Sequence, residues 1–131
     1  MKTLVVYYSK TGNTKKVAEA AIKELGCDFD EIGFDDKGQK ITVTIDPAEY
    51  ERVILLAPIW AFSLCVPMQI YVNRHKDAIK KYSLVVTCIL GFGVSSCIKC
   101  CLKAIGRKPE KTFMLKAKLI KEGKFDIKEV L

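Results

Sequence analysis

Three short apolar runs, Leu4–Tyr8, Val53–Ala57 and Leu84–Ile89, the last interrupted only by Thr87, constrain this chain more than any other feature. Each is far shorter than the roughly 20 residues of a membrane span. Each has the character of a strand covered on both faces. Helical patterns lie between them. Apolar residues at 17, 18, 21, 22 and 25 mark one face of a first helix, and Gly26 ends it. Pro67 opens a second helix, expected to run to about Lys80 with Met68, Ile70, Tyr71, Val72 and Ile79 apolar. Ser96 suits the cap of a third helix, Cys97–Ile105, closed by Gly106. Buried strands alternating with helices give an α/β fold with a parallel sheet, and right-handed crossovers leave few topologies. A length of 131 residues, half of them hydrophobic, suits one domain over 1–131.

The remaining segments are shorter. Cys27–Phe34 alternates and is acidic, as an edge strand would be. Asp36-Lys37-Gly38 is turn-like, and Ile41, Val43 and Ile45 alternate with threonines, which suggests a hairpin. Asp46-Pro47 opens a brief helix through Tyr50. Pro58–Val66 and Leu90–Ser96 read as loops. Thr112–Ile120 reads as the last strand, with Phe113, Leu115, Ala117 and Leu119 on one face and Lys116 and Lys118 on the other. Lysines on one face suit a sheet edge. The tail Phe125–Leu131 holds under two helical turns.

Composition excludes several classes. The N-terminal apolar run is too short for a signal peptide, so a cytoplasmic location is expected, with no membrane association. A disulfide framework is then not expected from Cys27, Cys65, Cys88, Cys97, Cys100 and Cys101. Cys97-x-x-Cys100 supplies too few ligands for zinc. Cys97 and Cys101 share a helix face with Ile98, Leu102 and Ile105 and read as core. The net charge of +7 is unevenly spread. Residues 27–51 hold eight acids against two lysines, whereas residues 99–131 hold ten bases against four acids. The bases are not interleaved with stacking aromatics, so nucleic acid is not an expected partner.

In a parallel sheet, ligands bind beyond the C-terminal strand ends, where three loops meet. The first, Ser9-Lys10-Thr11-Gly12-Asn13-Thr14, brings three hydroxyls, an amide and a glycine to a strand-to-helix junction. Free N–H groups and the helix dipole there attract a phosphate. The second, Pro58-Ile59-Trp60-Ala61, carries the only tryptophan. The third, Cys88 and Leu90-Gly91-Phe92-Gly93, carries a phenylalanine between glycines. A phosphate cradle facing aromatics on two separate loops suits a planar ring with a phosphate tail, which describes flavin mononucleotide (FMN). The only histidine, His75, falls on a helix outside this crevice and reads as a surface residue.

The chain resembles the flavodoxin family over nearly its full length. Val5 to Thr14 is similar to that family's first strand and FMN phosphate loop. Tyr50 to Trp60 is similar to its third strand and first flavin-wall loop, and Leu90 to Gly93 to its second. The resemblance implies a three-layer, doubly wound, five-stranded parallel sheet of order 2-1-3-4-5 and one noncovalent FMN. It implies electron transfer between redox partner proteins, a reductase and an acceptor, without substrate turnover. Carried over by position, Ser9, Thr11, Gly12, Asn13 and Thr14 would hold the phosphate, with Lys10 in the same cofactor-binding loop. Trp60 and Phe92 would sandwich the ring. Backbone groups of Ile59 to Ala61 and of Cys88 to Gly93 would meet the flavin edge, with the Trp60–Ala61 peptide the candidate to flip and bond the ring nitrogen that gains a proton on reduction.

Two departures stand beside the resemblance. The family is usually acidic around the flavin, whereas residues 58–66 and 88–98 contain no Asp or Glu. The family also usually closes on a full helix, which is shortened here. Either the tail docks over the exposed sheet face or weak self-association covers it. Two other functions stay open: a small FMN-dependent NAD(P)H oxidoreductase of quinone or nitro reductase type, and a flavin-free binding module with the same fold.

Overall fold

A computed structural model describes residues 2–131. Its centre is a sheet of five parallel strands: β1 (Thr3–Tyr7), β2 (Asp28–Glu31), β5 (Arg52–Trp60), β7 (Lys81–Cys88) and β8 (Thr112–Lys116). They lie side by side as β2-β1-β5-β7-β8. With the short antiparallel strands β3 (Gly33–Asp35), β4 (Lys40–Thr42) and β6 (Ser63–Leu64) set aside, this is the expected 2-1-3-4-5. Alternate side chains of the central strands feed two cores. Leu4, Val6, Val53, Leu55, Leu84 and Val86 face α2 (Val66–Arg74), α3 (Val94–Ile105) and the β3–β4 hairpin. Val5, Tyr7, Ile54, Leu56 and Val85 face α1 (Asn13–Leu25), α4 (Ala117–Lys121) and α5 (Ile127–Val130). The continuous apolar runs exist because both faces of these strands are buried.

The caps follow the sequence in part. Gly26 ends α1 in the left-handed conformation, its N–H donating to the Ile22 carbonyl. Asp46 caps the short 3-10 turn Pro47–Glu49 by accepting from the Ala48 N–H. Ser96, by contrast, is not a cap. Helix α3 begins three residues earlier, after Gly93, and the Ser96 hydroxyl donates to Ser63 Oγ at 3.0 Å.

Four other boundaries differ from expectation, most of them through a contact distant in sequence. The expected strand 27–34 is two strands. Its ladder with β1 ends where the Ile32 N–H donates to the Tyr7 carbonyl, and the chain then turns into the hairpin. The arm expected through Ile45 stops at Thr42. The N–H groups of Thr44 and Ile45 bond instead to the buried carboxylate of Asp30, which also accepts from the Thr44 hydroxyl. Helix α2 ends at Arg74 rather than Lys80. A turn through His75 then brings the fully buried Ile79 back to the sheet. His75 is only half-exposed and packs its ring 4.5 Å from that of Tyr71, so it is not a plain surface residue.

The fourth difference is the end of the chain. Strand β8 stops at Lys116, opposite Cys88, the last residue of β7. Beyond that pair no neighbour remains to accept its hydrogen bonds, so residues 117–121 form a helix rather than more strand. Ile120 and Val130 are buried against the α1 side of the sheet, with Phe125, Ile127 and Leu131 packed around them. Residues 117–131 therefore dock on the α1 face of the sheet.

Candidate functional site

The site lies at the C-terminal ends of β1, β5 and β7. At the end of β1 the Ser9 hydroxyl accepts from the Gly12 N–H at 3.0 Å, curling the loop under α1. Gly12 takes φ 97°, which a side chain would resist, and its carbonyl accepts the Lys16 N–H to start the helix. No side chain caps α1, and no acid stands in its first turn. The N–H groups of Asn13, Thr14 and Lys15 therefore have no partner within the helix. The Thr14 hydroxyl is buried and lies 2.8 Å from Thr87 Oγ1 on β7. Its side chain braces helix against sheet, which leaves its N–H for a ligand. Lys10 is exposed, with Nζ 5.5 Å from the centre of the Trp60 ring.

The first wall is not the open loop expected over 58–66. Strand β5 runs on through Trp60, and β6 folds back on it, pairing Ile59 with Leu64 and Trp60 with Ser63. The two residues at the bend, Ala61 and Phe62, have φ 49° and 63°. Positive φ at both positions suits the right-handed twist of a two-residue hairpin, but neither residue adopts it easily. Trp60 is held edge-on by Tyr8, ring centres 5.6 Å apart at 87°, and tilted against Phe34 at 6.5 Å. Burial raises the Tyr8 phenol pKa, with smaller contributions from Cys65 and Asp36, so it stays neutral.

The second wall needs both of its glycines. Gly91 has φ 82° and Gly93 has φ 101°. A Cβ on Gly93 would sit 2.6 Å from the Phe62 carbonyl oxygen, so only glycine lets the two walls meet so closely. The contact continues outward through the Phe62 and Phe92 rings, 6.5 Å apart.

The three segments enclose two adjoining hollows. Lys10, Thr11, Asn13, Thr14, Pro58, Ile59, Trp60 and Cys88 line the first, together with Thr87, Ile89 and Ala117. Ala61, Leu90 and Phe92 line the second, with Phe62. Ile59 and Ile89 belong to both. The phosphate loop and Trp60 thus share one hollow, while Phe92 stands in the next, across this pair of isoleucines. Sequence reasoning missed Phe62, Thr87 and Ala117 as lining residues. A threonine near the end of an otherwise apolar strand was a readable signal for Thr87. Ala117 gave none, because its position depends on where β8 stops.

Residues 4–124 match the family model described as a flavodoxin domain. The chain belongs to the flavodoxin family. Solved structures with the same fold include a flavoprotein in complex with FMN from Lactobacillus acidophilus. It is 18% identical with TM-score 0.74, over 92% of this chain and 97% of that one. A flavodoxin from the domain Archaea is 23% identical with TM-score 0.62, over 99% and 98% of the two chains. The Fusobacterium nucleatum flavodoxin bound to flavin mononucleotide is 16% identical with TM-score 0.63, over 99% and 97%. Comparison with curated proteins gives no match. FMN is the cofactor of this family, and the residues present fit it. The uncapped start of α1 with its hydroxyl-rich loop suits a phosphate dianion, and the Trp60 hollow suits an apolar ring. Among the described residues, no helix is long and apolar enough to cross a membrane, and no cluster of side chains could hold a metal ion.

Proposed function

We propose that this flavodoxin-family protein binds FMN noncovalently and works as an electron carrier between redox partner proteins. When bound, FMN supplies the redox chemistry. The uncapped N-terminus of α1, free of acidic side chains and closed by the Ser9–Gly12 hydrogen bond, carries the reading. Its N–H groups and the hydroxyl of Thr11 would neutralise the phosphate without a basic side chain. Trp60, braced by Tyr8 and Phe34, would offer a fixed aromatic wall and exclude water. The first hollow's polar side chains are hydroxyls, an amide, a thiol and Lys10.

The test is an FMN titration of the purified protein, followed by visible absorbance and flavin fluorescence. One equivalent should bind with its fluorescence strongly quenched, and Trp60→Ala should recover much of that emission. NADH or NADPH added to the loaded protein should cause no steady oxidation. Sustained turnover would instead favour the reductase reading, and a protein that takes up no FMN would favour a flavin-free module.

A further inference from the structure

We propose that the face around the second hollow is a docking surface for an acidic protein, the reverse of the polarity usual where flavodoxins are themselves acidic. The inference rests on the electron-carrier reading and adds the sign of the partner's contact face. Its centre is apolar. Ile89, Leu90, Phe92 and Phe62 are 84%, 65%, 64% and 62% exposed. The latter three line one hollow with Ile89, so the exposed apolar surface is contiguous. Clustered exposed apolar side chains of this size mark interaction sites more often than scattered ones do.

The rim is basic. The Lys116 side chain lies against Gly91, at 3.3 Å from where a Cβ would stand. Lys118 and Lys121 border a neighbouring hollow that shares Ile89 and Ala117 with the flavin crevice. Glu122, the one acid there, pairs with Lys124 at 3.2 Å. Neither wall segment contributes a carboxylate. Asp35 and Asp36 are on the hairpin whose Phe34 packs against Trp60. The crevice mouth is therefore polarised, basic at the α4 side and acidic at the hairpin side. A partner with a carboxylate-rimmed apolar face would be attracted and oriented by that gradient, whereas a basic one would be repelled from the apolar centre. A small apolar centre with a charged rim is the anatomy of a transient electron-transfer contact.

The test uses the isotope-labelled full chain with FMN added, titrated by NMR with an acidic plant-type [2Fe–2S] ferredoxin and, separately, with a basic c-type cytochrome. The ferredoxin should shift the amides of residues 62, 89–92 and 116–121. Its affinity should fall about tenfold between 20 and 200 mM salt. Lys118→Glu with Lys121→Glu should weaken binding by at least tenfold without altering FMN affinity, and the milder Lys118→Gln with Lys121→Gln pair should fall between. Absence of ferredoxin shifts on this face, or stronger perturbation of it by the cytochrome, overturns the proposal. The shifts are read on this chain whether or not flavin binds. Docking without FMN uptake would therefore reject the carrier function while upholding the surface, and FMN uptake without docking would do the opposite.

Discussion

Backbone conformation at single positions decides how this crevice is built. Ala61 and Phe62 both hold positive φ at the bend between β5 and β6, and Gly93 holds φ 101° with the Phe62 carbonyl where its Cβ would be. The two sites respond oppositely to one methyl group. Ala61→Gly removes a left-handed strain of about 1–2 kcal/mol and offsets part of that gain by freeing the unfolded chain. Urea unfolding should show a net gain of about 0.5–1 kcal/mol. Gly93→Ala adds that strain and a backbone clash, and should cost about 2–4 kcal/mol. The buried Thr14–Thr87 hydroxyl pair makes a second case. Thr14→Val leaves a buried hydroxyl alone and should cost about 1–2 kcal/mol, as should Thr87→Val. The double variant should cost less than the sum of the two, with a coupling of about 1 kcal/mol in a double-mutant cycle.

Among the elements, the segment after β8 departs most clearly from expectation, folding as the two short helices α4 and α5. Helix α4 turns away from the sheet once β7 has no more residues to pair, and α5 returns Val130 to the same apolar face. Asp126 caps α5 by accepting from the Lys128 N–H, and the Lys111 ammonium donates to the Glu129 carbonyl. Ile120 is 1% exposed, so Ile120→Ala should destabilise by about 2–4 kcal/mol by thermal or urea unfolding. A cost near zero would mean that these helices do not seal the sheet.

Over the whole molecule, burial sets the response to pH and charge distribution sets the response to reduction. Burial pushes the thiols of Cys65, Cys97 and Cys101 from 9.0 to about 12. Their neutral forms are favoured by folding, so their contribution to stability is intact below pH 9 and is lost as the pH climbs from 9 towards 12. Alkaline unfolding should accelerate in that window, and Cys97→Ala with Cys101→Ala should flatten the decline. At neutral pH these three thiols should resist Ellman's reagent until the chain unfolds. The crevice walls carry no carboxylate. One like charge at ~10 Å, in an effective dielectric of ~40, opposes reduction by about 0.8 kcal/mol, or roughly 35 mV for one electron. Redox titration of the FMN-loaded protein should therefore place its second one-electron step above that of flavodoxins whose flavin is ringed by acids. A value as low as theirs would show that the lysine-rich surroundings do not reach the cofactor.

Local pattern determined much of this protein. The apolar runs at Leu4–Tyr8, Val53–Ala57 and Leu84–Ile89 specified buried parallel strands, because only strands covered on both faces dispense with alternation. Ser9–Thr14 reads as a candidate anion site because its donors lie next to one another in the chain. Gly26 and Gly106 ended their helices as read. Tertiary structure decided whatever depended on a partner distant in sequence. Asp30 captured the backbone of Thr44 and Ile45 and cut a strand short. The end of β7 stopped β8 and turned Ala117 towards the crevice. The return of β6 made a hairpin of an apparent loop and set Phe62 against Phe92. Periodicity records which side of an element is buried. Where a strand ends, and which hollow an aromatic ring lines, depends on whether a hydrogen-bonding or packing neighbour is still there to meet it, and only the folded chain supplies that neighbour.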